Sequence, residues 1–171
     1  KPTITAWNRS QPTEFLYDLA NNADRIWLLI SDNALESFYQ EHLQKFNKMV
    51  IHFSGALEIN GMIAAHPLMT FSTQLYGKEF YPRIPFIIDR PDLNMQDLAA
   101  EIKNPTYYLS AEHKPYYHSL CVLGGNLPHL LWQKMRMGML ELGLPDHVID
   151  LYLDQNLKNF KLHIQNAAVE L

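Results

Sequence analysis

"RIWLLISDNALESFYQEHLQKFNKMVIHF", residues Arg25 to Phe53, decides the fold class of this 171-residue chain. Arg25 to Ser31 is a near-continuous apolar run, the pattern of a strand buried on both faces of a parallel sheet. "SDNALESFYQEHLQKF" then spaces its apolar residues as an amphipathic helix does, with Ser31 or Asp32 placed to cap the first turn. "KMVIHF" returns to the buried-strand pattern. Two such strands joined by a helix pair in parallel through a right-handed crossover.

The same alternation extends outward. Upstream, "TITAW" (Thr3 to Trp7) favours a strand and is closed by the turn cluster "NRSQP". "PTEFLYDLANNAD" carries Phe15, Leu16 and Leu19 at helical spacing, with Thr13 as its expected N-cap. Downstream, "MIAAHP", "IPFIID" and "TYYLS" read as short strands, with a weak helix at "MQDLAAEI". No strand pattern follows Leu109. From Ser110 the spacing is helical, broken by Gly143 and Pro145, and a second long helical stretch runs from there to the end. The expected fold class is α/β then all-α. A partial parallel sheet occupies residues 1–109 and a helical C-terminal domain residues 110–171. The chain opens on Lys1 and stops on a helical pattern, so we expect a segment of a longer protein, its helical domain incomplete.

Composition narrows the function classes. The net charge of −4 and the absence of any Lys/Arg cluster argue against nucleic acid or an anionic membrane as partner. No apolar run reaches the roughly 18 residues of a membrane span. The single cysteine, Cys121, excludes an intrachain disulfide framework and fits a reducing, cytoplasmic setting. In "HSLCVLGG" it reads as a small buried hydrophobe. The eight histidines form no H-x-x-x-H or H-E-x-x-H pattern, and no metal is expected. None of the seven glycines forms a G-x-G-x-x-G or Walker-type turn.

Several polar residues fall where strands end. His52, Ser54 and Gly55 close one strand, at the edge where open α/β sheets take ligands, and Gly55 lets a backbone approach closely. A histidine there exchanges protons near neutral pH, and Ser54 offers a hydrogen bond to a substrate. His66 precedes Pro67, which biases it to an extended conformation and ends the ladder. In "EHKPYYHSLCVLGGN" the polar members are Lys114, Tyr117, His118 and Asn126. Lys114 and His118 are four apart, and His118 and Asn126 share a face. Each has an ordinary alternative: caps, turns and satisfied core histidines. Asn126 after Gly124-Gly125 reads equally as a helix irregularity.

The order "WLLISD", "IHFSGAL", "AAHPLMTF", "IPFIID" and "AEHKPYYHSLCVLGGN" resembles an uncharacterised two-domain family. That family pairs a Rossmann-like NAD(P)-binding domain with a helical C-terminal domain. It is related to pyrroline-5-carboxylate reductase, prephenate dehydrogenase and deazaflavin-dependent NADP oxidoreductases. The resemblance implies that the first strand and Gly-rich turn of the nucleotide fold are not in this sequence, and that "TITAWNRS" is its second strand. Asn8, Arg9 and Ser10 would then stand where NAD readers carry an acidic residue, which tilts the cofactor towards NADP over NAD. The alternative is a plain turn. Ser31 and Asp32 would end the fourth strand, beneath the nicotinamide half, and His52 and Gly55 would border it. His66 resembles the histidine of the His-Pro-Met segment in prephenate dehydrogenases. The helix carrying Lys114, His118 and Asn126 resembles the one that polarises a substrate carbonyl in related reductases.

Together these give a working expectation. An NAD(P)-dependent oxidoreductase would take a small-molecule substrate at the cleft between the two domains. His66 and His118 would be catalytic, and Ser54, Asn126 and Lys114 substrate-binding. Asn8, Arg9, Ser10, Ser31, Asp32, His52 and Gly55 would bind cofactor. A homodimer through the helical domain is expected. The competing class is a non-catalytic nucleotide-binding or dimerisation protein that keeps the fold without turnover. In that case the Met-rich "WQKMRMGML" would be partner surface; in the first it is core.

Overall fold

Strand β1 (Arg25–Leu28) pairs in parallel with β2 (Met49–His52) in the computed structural model, which describes residues 3–167. Arg25 lies opposite Met49 and Leu28 opposite His52. The crossover is α2 (Asp32–Phe38), prolonged by a π-helical turn at Tyr39–Leu43 and a 3₁₀ turn at Gln44–Phe46. Asn47 stops it in the left-handed conformation, at φ 50°. Strand β3 (Ile63–Pro67) continues the parallel sheet, with Ile51 opposite Ile63 and His52 opposite Ala64. The tight approach to β3 requires glycine at Gly61. Its φ is +85°, and a Cβ there would come within 2.4 Å of the Tyr39 hydroxyl.

The sheet then departs from the all-parallel expectation. Strand β4 (Phe86–Ile88) runs antiparallel to β3, and β5 (Thr106–Tyr108) runs parallel to β4. The cause lies in the connections. Between Pro67 and Phe86 there is a loop with one 3₁₀ turn (Tyr81–Arg83) and no crossover helix, so the chain re-enters at the end it left. Leu68 N–H to Pro85 C=O, at 2.9 Å, closes that end. Between β4 and β5 the short α3 (Met95–Leu98) supplies a crossover, started by a capping box of Asn94 and Asp97. The sheet order is β1-β2-β3-β4-β5. Among the described residues no strand follows Tyr108.

Alternation along β2 builds a core on each face. Val50 joins Leu16, Ala20, Leu35, Tyr39 and Leu43 from α1 (Thr13–Asn22), α2 and the π turn. Its neighbour Ile51 joins Ile63, Ala65, Ile88, Met95 and Leu98 on the other side. Each fully buried aliphatic side chain of this kind stabilises the fold by about 1.5–3 kcal/mol. This is a Rossmann-like arrangement, a mostly parallel sheet covered on both faces, followed by a helical region.

Three local expectations are corrected. Thr3–Trp7 forms no strand, since it has no strand beside it among the described residues and a ladder needs a neighbour. Thr13 is the first helical residue of α1, and Pro12 occupies the cap position without a side-chain bond. Ser31 holds the cap position of α2, but its hydroxyl makes no capping bond; its carbonyl accepts from Ala34 N–H instead.

By packing, the chain divides into units 1–121 and 122–171. Helix α4 (Lys114–Cys121) therefore belongs to the unit of the sheet. The second unit opens with a π-helical turn, Val122–Asn126, where Gly124 and Gly125 weaken regular helix. It continues as α5 (Leu127–Glu141) and α6 (Asp146–Ala167), which join at Gly143, φ +83°. Arg136 ties them through ion pairs to Asp146 and Asp150. No residue of α5 is buried, and Met137 is 63% exposed, so "WQKMRMGML" is not core. No described helix is long and apolar enough to cross a membrane.

Candidate functional site

The carboxyl ends of β2 and β3 and the inner face of α4 meet within the first unit. Gly55 marks the point. A Cβ on Gly55 would lie 3.0 Å from His66 Nε2 and 3.1 Å from His118 Nδ1, so the two imidazoles pack directly on its bare backbone and leave no room for a side chain. His66 comes from β3 and His118 from α4. On its other side His66 Nδ1 is 2.8 Å from the Tyr117 hydroxyl, the rings meeting edge-on at 81°. His118 Nδ1 is buried and has no hydrogen-bond partner in the described structure.

Ser54 organises the loop below. Its hydroxyl donates to Asp32 Oδ2 at 2.6 Å and accepts from the backbone N–H groups of Ala56 and Leu57. This hydrogen bond joins the loop after β2 to the first turn of α2, where the helix dipole favours a carboxylate. Ser54 is therefore committed to the loop and Asp32 to Ser54. His52 is fully buried; its Nδ1 accepts from Ser54 N–H at 3.3 Å, and its Nε2 has no partner. The His52 side chain is thus sealed within the unit.

Lys114 is 4% exposed. Its ammonium donates to the Leu57 carbonyl and lies 3.7 Å from Asp89 Oδ2, while Asp89 Oδ1 accepts from Ala64 N–H at 3.1 Å. One buried lysine thus fastens α4 to the loop after β2 and to the ends of β3 and β4. That engagement makes it a clamp between these elements. Asp89 was not singled out by sequence, although an acidic residue ending the apolar run "IPFIID" is a signal of its kind. Tyr117, read as a polar member of the helix, had been given no role.

Burial governs the electrostatics. It lowers His52 and His66 from an ordinary 6.5 to about 4, so both are neutral at physiological pH. At His66 the neighbouring His118 and Lys114 act in the same direction, and Asp32 opposes them. At His52 the charge of Lys114 adds to burial and Asp32 again opposes. Lys114 is itself lowered by burial, against Asp89, Glu58 and Asp32. Burial pushes the Tyr117 phenol up, helped by Cys121.

The remaining residues lie apart from this cluster or outside its unit. Asn8, Arg9 and Ser10 form an exposed turn in which Asn8 Oδ1 accepts from both the N–H and hydroxyl of Ser10. That turn leaves Arg9 on the surface, a position that suits a 2′-phosphate. Ser31 is exposed at the carboxyl side of β1. Asn126 belongs to the second unit, in the π-helical turn, and the sequence alternative of a helix irregularity describes it. Cys121 is half-buried. Among the described residues no three His, Cys, Asp or Glu side chains converge as metal ligands.

A dinucleotide finds part of what it needs. The Asn8–Ser10 turn and Ser31 are exposed, with hydroxyl, amide and guanidinium groups of the kind that meet a ribose or its phosphate. No Gly-rich turn for its pyrophosphate occurs in the sequence.

Known structures share the fold. A proposed NADP oxidoreductase from Bacteroides fragilis is similar at TM-score 0.62 and 18% identity, over 80% of this chain and 57% of that one. A protein from Thermotoga maritima is similar at 0.59 and 20%, over 83% of this chain and 58% of its own. The pyrroline carboxylate reductase of Plasmodium falciparum, with NADP bound, is similar at 0.59 and 13%, over 87% and 60%. This chain thus spans less than two thirds of each. No family model matches the sequence, and no curated protein matches it.

Proposed function

We propose that this chain is the larger part of an NAD(P)-dependent oxidoreductase whose small-molecule substrate is held at the sheet edge beside His66 and His118. The observation that carries this reading is the convergence of the two imidazoles on a glycine, 3.0 and 3.1 Å from where its Cβ would stand. An open α/β sheet takes ligands at that edge, and the fold is shared with a reductase that has NADP bound. The nicotinamide, when bound, supplies or accepts the hydride. His118, the second imidazole packed on Gly55, moves the proton at the substrate heteroatom. The Lys114–Asp89 clamp and the Ser54–Asp32 hydrogen bond fix the walls. Arg9 favours NADP over NAD by offering a guanidinium to a 2′-phosphate.

The reading includes self-association. Leu127, Leu130, Leu131 and Met137 of α5 are exposed, an apolar surface of the kind that a second copy covers.

The test is made on the complete protein. Calorimetric titration should give tighter binding of NADP than of NAD, and His118→Ala should lower turnover while leaving NADP affinity near wild type. Absence of binding by either nucleotide would overturn the oxidoreductase reading and favour a non-catalytic dimerisation protein. Sedimentation equilibrium tests the dimer separately.

A further inference from the structure

Tyr117 and His66 meet at 2.8 Å through the hydroxyl and Nδ1, and the opposite ring nitrogen of His66 is the one that faces Gly55. A hydroxyl and an imidazole nitrogen can pair in two ways, with either as donor. The choice fixes which nitrogen of His66 carries the hydrogen, and so the chemistry that Nε2 offers.

We propose that Tyr117 is a positioning residue whose hydroxyl donates to His66 Nδ1, locking the imidazole in its Nε2–H tautomer so that this nitrogen presents a hydrogen-bond donor to a substrate carbonyl or carboxylate oxygen. This rests on the oxidoreductase reading only for the identity of the occupant. The tautomer follows from the chain itself.

Two arguments select this arrangement. First, burial and the thiol of Cys121 both keep the Tyr117 phenol protonated, so its hydrogen must point to some acceptor. The sp² nitrogen of His66 is a far better acceptor than the sulfur of Cys121, one helical turn away. Second, His66 is neutral. Burial, His118 and Lys114 all disfavour its cation, and Asp32 alone among the charges acting on it favours that form. A neutral imidazole carries one N–H. If Nδ1 accepts, Nε2 must hold the hydrogen, and Nε2 is the ring nitrogen turned towards Gly55. His66 therefore offers a hydrogen bond from that nitrogen and is not a base. A substrate oxygen carrying negative or developing negative charge is stabilised, whereas a donor group would be turned away.

The experiment uses ¹⁵N-histidine-labelled complete protein and two-bond ¹H–¹⁵N correlation spectra, with His66→Gln to assign the resonances. The expected wild-type pattern is that of the Nε2–H tautomer, with a deuterium isotope shift on Nδ1 transmitted from the Tyr117 hydroxyl. In Tyr117→Phe the pattern should move towards a mixture of tautomers, and kcat should fall about tenfold or more with NADP affinity unchanged. A wild-type Nδ1–H pattern would overturn the proposal, as would a Tyr117→Phe spectrum identical to wild type. Should Tyr117→Phe fail to fold, absence of the Nδ1 isotope shift in wild type overturns it equally. An Nε2–H pattern in a protein that binds neither nucleotide would sink the oxidoreductase reading and leave the tautomer lock standing.

Discussion

Lys114 and Asp89 form a buried pair, Nζ to Oδ2 at 3.7 Å, with side chains only 5% and 10% exposed. The sequence separates them by a strand and a helix, and the fold brings them together beneath the two site histidines. Removing one partner strands the other charge away from water. We expect Lys114→Met to destabilise the first unit by about 3–5 kcal/mol. Lys114→Met combined with Asp89→Leu should recover part of that loss. Urea unfolding of the four forms measures it. Full additivity of the two substitutions would mean that the pair is not coupled.

Stability should also fall with acid, for a reason that can be signed. His52 and His66 protonate in the folded chain only near about 4, against 6.5 when exposed. As pH falls below 6.5 the unfolded chain therefore takes up protons first, and stability is lost until both states are protonated at about 4. Above 6.5 these two groups contribute no slope. Urea midpoints across that window should fall steadily, and His52→Gln should flatten the fall by about one proton. A His52→Gln profile parallel to wild type would assign the acid sensitivity to other groups.

What could be read in the sequence follows the physics of each signal. Arg25–Leu28 and Met49–His52 were legible because a strand covered on both faces has to be apolar throughout. His66 was legible because Pro67 ends a strand wherever it falls. The reversal of β4 was not, since it depends on a connection lacking a helix and not on any property of "IPFIID". The engagement of Lys114 was not legible either: a polar residue beside apolar ones looks free until its partner is known, and Asp89 lies a strand and a helix away in the chain.

Cofactor preference should rest on the exposed turn at Asn8–Ser10. If Arg9 reads a 2′-phosphate, Arg9→Ala in the complete protein should lose about 1–3 kcal/mol of NADP affinity, as expected for a charge-assisted hydrogen bond. NAD affinity should stay near wild type. Titration calorimetry with both nucleotides decides it, and equal losses for the two would make Arg9 a structural residue of the turn.

Gly55 gives the sharpest test of the site, because the change is a single methyl group. Gly55→Ala would place that methyl 3.0 Å from His66 Nε2 and 3.1 Å from His118 Nδ1, closer than ordinary carbon contacts allow. His66 cannot swing away freely, since Tyr117 holds its other nitrogen at 2.8 Å. The methyl would therefore displace the imidazoles from the places in which they meet a substrate. We expect turnover to fall about 10²-fold or more, as misplacement of reacting groups by an ångström does. The Lys114–Asp89 clamp does not touch this position, so thermal stability should change little. Steady-state kinetics beside a thermal melt separates the two effects. Wild-type turnover in Gly55→Ala would show that the reaction does not depend on where these two histidines stand.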